Sequence, residues 1–356
     1  MRINNFIDDK ITCFAKRNKK MSTRKIKWGI ISTAKIGVEK VIPAMQKGNN
    51  LEIVGIASRK EEEARSTANK LGIPRYYSNY EALLNDPDIE AVYNPLPNHM
   101  HYEWTKKAIE MGKHVLCEKP MTLDKQEIKE LILLRDKYKV KVGEAFMVHT
   151  HPQWIDTVRR IKQGEIGKLR VVQGFFSYNN INPSNIRNIL KYGGGAMWDI
   201  GCYPVHTSRF VFDEEPKRVI SLIERHPEFG TDRLVSVIME YPSGQCSFTV
   251  STQLVPHQRM IFFGDQRKLE VEIPFNAPND RNCRIYLDDG GLFQANKKEI
   301  AFDICDQYRI QGEVFSEAVI SNTEVPVSLE DAYKNVAVIE AIFESEKSGA
   351  WVILKE

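Results

Sequence analysis

Asp199, Tyr203 and His206 fall at i, i+4 and i+7 within the stretch Gly193 to Phe212, GGGAMWDIGCYPVHTSRFVF, a spacing that sets three side chains on one face of an α-helix. A carboxylate, a phenol and an imidazole on one stripe can take up and release protons. The same residues also fit a solvated helix face, with Asp199 near the helix start and Pro204 as a mild kink. A fourth group comes from Val115 to Pro120, VLCEKP, where Lys119 follows an apolar strand and precedes a proline. The proline ring restricts the residue before it, so this ammonium is held in place. Beside Tyr203 it would lower a phenol that starts near pKa 10, and reaching neutrality takes roughly 4 kcal/mol of preference for the phenolate. A lysine lying on the surface would have no such effect.

These residues need elements to position them. Trp28–Ile31 has the apolar pattern of a strand, Ser32–Gly37 that of a turn, and Val38–Lys47 that of a helix tolerating Pro43; Ile53–Ala57 is a second strand, followed by a charged helix, Glu61–Leu71. Strand, turn, helix and strand within about 30 residues make a mononucleotide-binding unit, whose helix start offers unpaired N–H groups to a pyrophosphate. The three glycine positions of the G-x-G-x-x-G fingerprint read Ser32, Ala34 and Gly37, with Thr33, Lys35 and Ile36 between them. Serine and alanine resist positive φ, so the turn is expected to stay in the right-handed region. After the second strand, Ser58-Arg59-Lys60 stands where an NAD site places an acid to hold the ribose hydroxyls. A hydroxyl and two cations suit a 2′-phosphate, which favours NADP with NAD possible; an ordinary solvated loop is the alternative.

Ala91–Tyr93 is a buried strand, and Asn94-Pro95-Leu96-Pro97-Asn98-His99-Met100-His101 leaves its carboxyl end, where doubly wound sheets bind ligands. This loop is expected to wall the cofactor crevice. Helix Tyr102–Met111, stopped by Gly112, and strand His114–Cys117 then lead to Glu118 and Lys119. Beyond residue 145 the helix Gln153–Gln163 is followed by period-two runs such as Val171, Gln173, Phe175 and Ser177, and six more such runs up to Leu287. Many strands with short turns predict a large, mainly antiparallel open sheet. Its aromatic and β-branched residues suggest pairing with a second copy. A final amphipathic helix, Leu329–Lys347, closes the core. The polar loop Asn182–Asn188 carries Arg187 just before the triple glycine, and amides with a guanidinium suit a polyhydroxylated ligand. His149, His151, Gln153, Trp154 and Tyr308 are further candidate walls.

Length and charge narrow the class. The 356 residues suggest two domains, and 50 basic against 47 acidic side chains, net +3 and scattered, leave no basic stripe for nucleic acid. The six cysteines show no metal-ligand spacing, so no metal is expected and buried free thiols in a reducing compartment are. The basic N-terminal residues precede no apolar run fit for a secretory signal or a membrane span, and the protein is read as cytoplasmic. Residues 1–24 are read as a flexible tail, 25–145 as the dinucleotide-binding domain and 146–356 as the substrate-binding and oligomerisation domain.

The blocks WGIISTAKIG, ASRK, YNPLPNHMH, GKHVLCEKP and GGGAMWDIGCY together resemble the glucose-fructose oxidoreductase and inositol dehydrogenase family, from Lys25 to the C-terminus. The tyrosine of the D-x-G-x-Y pattern is similar to the branch of NADP-dependent xylose dehydrogenases and dimeric dihydrodiol dehydrogenases. The resemblance implies a Rossmann domain plus an antiparallel-sheet domain, and hydride transfer between a nicotinamide cofactor and a sugar, polyol or diol. It further implies Lys119 and Tyr203 as the catalytic pair, Asp199 assisting, His101 beside the nicotinamide, and a homodimer or homotetramer. Lys119, Arg187, Asp199 and Tyr203 are the expected substrate contacts. A silent nucleotide-binding sensor of the same fold is the alternative from another class.

Overall fold

The structure, a computed structural model, describes residues 24–291 and 293–354. The expected N-terminal tail therefore lies outside the described residues, apart from Arg24. The first sheet contains β1 (Ile26–Ile31), β2 (Leu51–Ala57), β3 (Arg75–Tyr77), β4 (Ala91–Asn94), β5 (His114–Cys117) and β6 (Val142–Glu144), all parallel, in the order β3-β2-β1-β4-β5-β6. Parallel strands are covered on both faces, and β1 accordingly reads IKWGII with Ile26, Trp28, Ile30 and Ile31 buried. At Gly29 a Cβ would come within 2.8 Å of Leu83 and 2.9 Å of Ile89, so glycine admits the third helix, α3 (Tyr80–Asn85), which carries Leu83. That helix is preceded by α1 (Ile42–Met45) and α2 (Glu61–Leu71), and followed by α4 (His101–Glu110) and α5 (Lys125–Tyr138). Pro43 is accommodated in the first turn of α1, where a π-helical turn, Gly37–Val41, hands over to it. Strand order reverses between β1 and β4, which opens a crevice at their carboxyl ends.

The second sheet has nine strands: β7 (Leu169–Asn179), β8 (Arg218–Arg225), β9 (Asp232–Glu240), β10 (Gln245–Ser251), β11 (Gln253–Gly264), β12 (Lys268–Val271), β13 (Cys283–Asp288), β14 (Lys298–Phe302) and β15 (Val352–Ile353). All neighbours are antiparallel except β7 and β10. One face buries Val172, Phe176, Val237, Phe248 and Phe262 against α6 (Pro152–Lys162) and α7 (Cys202–Phe212). Among the described residues the other face is left exposed, with Leu222 and Ile238 on it and Phe175 and Ile261 bordering a trough.

The chain then returns. Helix α8 (Gln307–Ile320) packs on the first sheet: the Trp28 indole N–H donates to Ser316 Oγ at 3.1 Å, the Trp28 and Phe315 rings lie 5.3 Å apart, and Gly312 admits Met45. Burying two such aromatic side chains is worth roughly 2–3 kcal/mol each. Helix α9 (Leu329–Ser348) runs between α5 and β8, with Lys125 paired to Glu340 at 2.8 Å and Arg135 to Glu330 at 2.7 Å. Both sheets are thus fastened to one another around the crevice.

Candidate active site

A cleft of about 760 Å³ opens where the carboxyl ends of β1, β4 and β5 meet the end of β7 and the segment 180–203. Ala34, Lys35, Ile36, Pro95, Glu118 and Lys119 line it from the first sheet; Tyr178, Arg187, Asp199, Tyr203 and Tyr308 line it from the other side. Two groups 84 positions apart, Lys119 and Tyr203, are therefore neighbours.

Lys119 Nζ donates to the Asp199 carbonyl, sits 3.6 Å from Asp199 Oδ1 and lies 4.9 Å from the centroid of the Tyr203 ring. Burial works against its charge, but Asp199, the Cys202 thiol and Glu118 outweigh that and hold it above the ordinary lysine value. The ammonium rests over the face of the Tyr203 ring, and the Tyr203 hydroxyl faces Met147 Sδ at 3.6 Å. The expected lowering of the phenol does not occur here: burial pushes Tyr203 well above its usual value, and Tyr308, Cys202 and Glu118 push the same way. Desolvation of a phenolate in this wall outweighs a cation that does not touch its oxygen.

Asp199 is the hub. Tyr178 O–H donates to Oδ2 at 2.6 Å and Arg187 Nε lies 3.0 Å from Oδ1. Burial alone would raise this carboxyl, but Arg187, Lys119 and the Tyr178 hydroxyl bring it down to about 2. Asp199 in turn holds Arg187 above its usual range, while burial, with Asp199, pushes the Tyr178 phenol up. Tyr178, not among the residues expected at the site, lies on the opposite parity of β7 to the run Val171, Gln173, Phe175 and Ser177. Val172, Gly174, Phe176 and Tyr178 face inward, whereas Gln173 and Phe175 face the open side. Asn276, on the loop after β12, has no sequence signal that places it at the cleft.

The triple glycine positions these groups. Gly195 N–H donates to the Arg187 carbonyl at 2.8 Å, and a Cβ on Gly194 would sit 2.6 Å from that same oxygen. Gly195 takes φ +122°, where a Cβ would overlap the Asp232 carboxylate, which itself accepts Met197 N–H at 2.6 Å. Asp199 then sits in a π-helical turn, Met197–Gly201, before α7 begins. Such a turn carries more residues than an α-turn, so of the stripe expected from α-helical spacing Asp199 and Tyr203 share the cleft and His206 does not. His206 leaves the cleft: it is buried, stacks on Phe146 at 4.2 Å, faces His149 at 3.3 Å and lies 3.2 Å from Asp331.

Other expected contacts sort in the same way. Ser32 adopts φ +98°, against the expectation of a right-handed turn; its buried Oγ accepts Ala34 N–H at 3.3 Å, a local bond that helps hold the left-handed backbone. Thr33 follows it in the same turn. Asn94 does not line the cleft: its amide nitrogen donates to the His101 carbonyl and to Thr105, and its oxygen accepts Leu96 N–H. His101 is fully buried with its nitrogens 2.7 Å from the Pro120 carbonyl and 2.6 Å from that of Leu96; burial pushes it down to about 4. Its ring therefore ties the β4 loop to the Lys119-Pro120 segment. Glu118 accepts from Tyr93 O–H at 2.6 Å, and burial raises its carboxyl.

Ser58 and Arg59 close the carboxyl end of β2 outside the cleft lining. The Ser58 hydroxyl faces Glu63 at 3.4 Å, and Lys60 pairs with Glu63 at 2.8 Å. His149, His151, Gln153 and Trp154 are not cleft walls. His149 stacks on Phe210, His151 lies 3.4 Å from Cys305 Sγ, Gln153 donates to the Ile273 carbonyl and Trp154 to that of Pro274.

The first turn fits a dinucleotide. A helix beginning at Lys35 leaves its first N–H groups unpaired at the sheet's switch point, and Ala34, Lys35 and Ile36 border the cleft that holds Lys119. Gly37 is not demanded by space, since a Cβ there would make ordinary contacts at 3.6 Å or more. Among the described residues no group of three or more His, Cys, Asp or Glu is placed to hold a metal, and no helix is long and apolar enough to cross a membrane.

A six-stranded parallel sheet with this first turn, joined to an open antiparallel sheet across a polar cleft, defines a dinucleotide-dependent oxidoreductase. Residues 26–146 match the oxidoreductase family with an NAD-binding Rossmann fold, and residues 155–270 match the GFO/IDH/MocA C-terminal domain. An uncharacterized oxidoreductase of Rhizobium meliloti is 44% identical over 328 residues, covering 92% of this chain and 98% of the relative. A D-xylose 1-dehydrogenase (NADP(+)) of Haloferax volcanii is 34% identical over 332 residues, covering 92% and 99%. The solved 3-ketoreductase of Actinomadura kijaniata in complex with NADP and TDP-benzene superposes with a TM-score of 0.84 at 25% identity, covering 90% of this chain and 98% of that one. The chain belongs to the GFO/IDH/MocA family of oxidoreductases.

Proposed function

We propose that this protein interconverts a hydroxyl and a carbonyl of a sugar or related polyol with NADP(H), using Lys119 and Tyr203 as the catalytic pair and Asp199 to hold them. The observation that carries this is the placement of Lys119 Nζ between the Asp199 carbonyl and the Tyr203 ring, in a cleft that borders the Rossmann turn. The dinucleotide, held by residues Ser32–Ile36 and Pro95, would supply or accept hydride at its nicotinamide carbon. Tyr203 carries its proton, so carbonyl reduction draws that proton from the phenol to the carbonyl oxygen as hydride reaches the carbon. Oxidation runs the same transfers in reverse and needs the phenol first ionised. Lys119, fixed by Asp199, places a cation beside the oxygen that becomes negative. NADP is favoured by the Ser58-Arg59 pair and by the two NADP-linked relatives, although Glu63 already shares the Ser58 hydroxyl. Assembly of a proton donor and a cation in one cleft speaks against a silent sensor.

On the same reading, residues 25–145 hold the nucleotide and 146–356 supply most of the substrate wall. A second copy covers the open sheet face, where Phe175, Leu222, Ile238 and Ile261 border a trough of about 730 Å³. Leu222 is 77% exposed and Ile238 45%, more apolar surface than a lone sheet face normally shows.

The direct test is a screen of aldoses, polyols and their keto forms with NADP+ or NADPH, followed by Lys119→Ala and Tyr203→Phe. Each variant should lose about 10²–10⁴-fold in kcat and keep NADPH binding by fluorescence. Normal turnover in either one rejects the assignment.

A further inference from the structure

Arg187 and Lys119 share one carboxylate. Arg187 Nε lies 3.0 Å and Lys119 Nζ 3.6 Å from the same oxygen, Asp199 Oδ1, while the second oxygen is taken by Tyr178. The nearest other acid of the cleft, Glu118, is engaged by the Tyr93 hydroxyl at 2.6 Å, and Glu39 at the far end pairs with Lys35 at 3.9 Å. Glu118 supports the Lys119 charge, so in the substrate half two cations meet at one carboxylate oxygen and, among the described residues, Arg187 forms an ion pair with Asp199 and with no other acid.

The Arg187 charge is held in place. The Arg187 carbonyl accepts Gly195 N–H at 2.8 Å, its own N–H donates to Asn185 Oδ1 at 3.0 Å, and Gly194 has no Cβ to push it away. Nε makes the shortest approach to Asp199; among the described residues the two terminal guanidinium nitrogens have no hydrogen-bond partner, and the side chain is 43% exposed toward the cleft. A guanidinium edge with two parallel N–H donors, fixed at its base, is the geometry that receives an oxyanion bidentately.

We propose that Arg187 selects anionic sugars, substrates that carry a carboxylate or a phosphate close to the reacting carbon, and that its two terminal nitrogens pair with that oxyanion. This rests on the dehydrogenase reading only for what happens after binding. Because Arg187 and Lys119 meet the same carboxylate oxygen, the bound oxyanion lies within a few atoms of the hydroxyl that faces Lys119. Neutral aldoses would fill the cleft and leave the guanidinium edge to water.

The test is calorimetric titration of the NADP+-saturated full chain with D-glucuronate, D-glucose 6-phosphate and D-glucose at one ionic strength, then turnover with each. At least one anion should bind about 30-fold more tightly than glucose, the advantage of a charge-assisted bidentate pair; which of the two it is separates a carboxylate from a phosphate source. The advantage should shrink below about threefold in Arg187→Gln and be partly kept in Arg187→Lys, with NADPH fluorescence confirming that each variant is folded. Glucose binding as tightly as both anions, or an anion preference unchanged in Arg187→Gln, overturns the proposal. Glucose turnover together with equal binding rejects it while leaving the dehydrogenase reading intact. Anion-selective binding with no turnover in either direction does the reverse.

Discussion

Asp199 was expected to assist, and the structure shows what that consists of: one carboxylate, kept ionised down to about pH 2, takes the Tyr178 hydroxyl and separates two cations. Removing the Tyr178 hydroxyl should weaken that fixation without touching the nucleotide. Tyr178→Phe is expected to lower kcat about tenfold, the worth of a hydrogen bond to a charged group, with NADPH affinity unchanged in a fluorescence titration. A second residue-scale effect concerns Glu144, which accepts Met121 N–H at 2.6 Å just after the Lys119-Pro120 segment. Burial pushes its carboxyl up to about 8, against the Met121 N–H and the Arg209 and Lys119 cations; Asp232 is likewise pushed up by burial to about 7. A folded-state value above the unfolded one means stability fully present below about pH 4 and lost as pH rises through 7 and 8. The thermal midpoint should therefore fall between pH 5 and pH 9 by the equivalent of roughly 2–4 kcal/mol. Glu144→Gln, which keeps an acceptor for Met121, should flatten that slope in a pH series of thermal melts.

At the scale of elements, the stretch GGGAMWDIGCY is readable as a site on a helix, and the chain is helical there, with a π-turn where α-helical turns are expected. Its apolar spacing suggested an α-helix with Asp199, Tyr203 and His206 in line; the π-helical turn at Met197–Gly201 turns His206 into the core. Local sequence does not announce a π-turn, because the extra residue is stabilised by what packs on it: the Asp232 carboxylate at Met197 N–H and the Arg187 carbonyl at Gly195. Ser32 is similar, since its positive φ runs against serine's intrinsic preference and rests on its Oγ–Ala34 bond and on its N–H, which donates to the Ala57 carbonyl at the end of β2 at 3.1 Å. Strands β1, β2, β4 and β5 were legible because they are mostly buried and read as apolar runs, whereas β3, RYY and only half-buried, and the three-residue β6 were not. On β7 the alternation was legible, and Tyr178, on its other parity, was not among the residues expected at the site. Gly195→Ala should cost more than about 2 kcal/mol, since the left-handed backbone and the overlap with Asp232 both oppose a side chain. A drop in the denaturant midpoint together with lost turnover would register it; wild-type stability would contradict the role given to this loop.

At the scale of the molecule, α8 returns from the second sheet to cover β1, and α9 ties α5 to β8, so the cleft is framed by chain segments far apart in sequence. The exposed apolar face of the nine-stranded sheet is the counterpart of this arrangement, because α6 and α7 pack on the sheet's other face and α8 on the first sheet. If two copies pair through this face as proposed, Leu222→Arg together with Ile238→Glu should give a monomer in sedimentation velocity and leave the cleft intact. An unchanged sedimentation coefficient, or a monomeric wild type, would remove that face as the interface.

Taken alone, the amino-acid sequence determined the residue types of the site, the parallel sheet with its nucleotide turn, and the existence of a second, mainly antiparallel sheet, since these depend on short-range spacing and on which faces are apolar. Only the tertiary structure decided that Lys119 lies over the Tyr203 ring and not on its oxygen, that burial raises that phenol, and that Arg187 and Tyr178 meet on Asp199. Those outcomes depend on distances between distant segments and on how much water each group loses, and neither quantity is written in the order of residues along a chain.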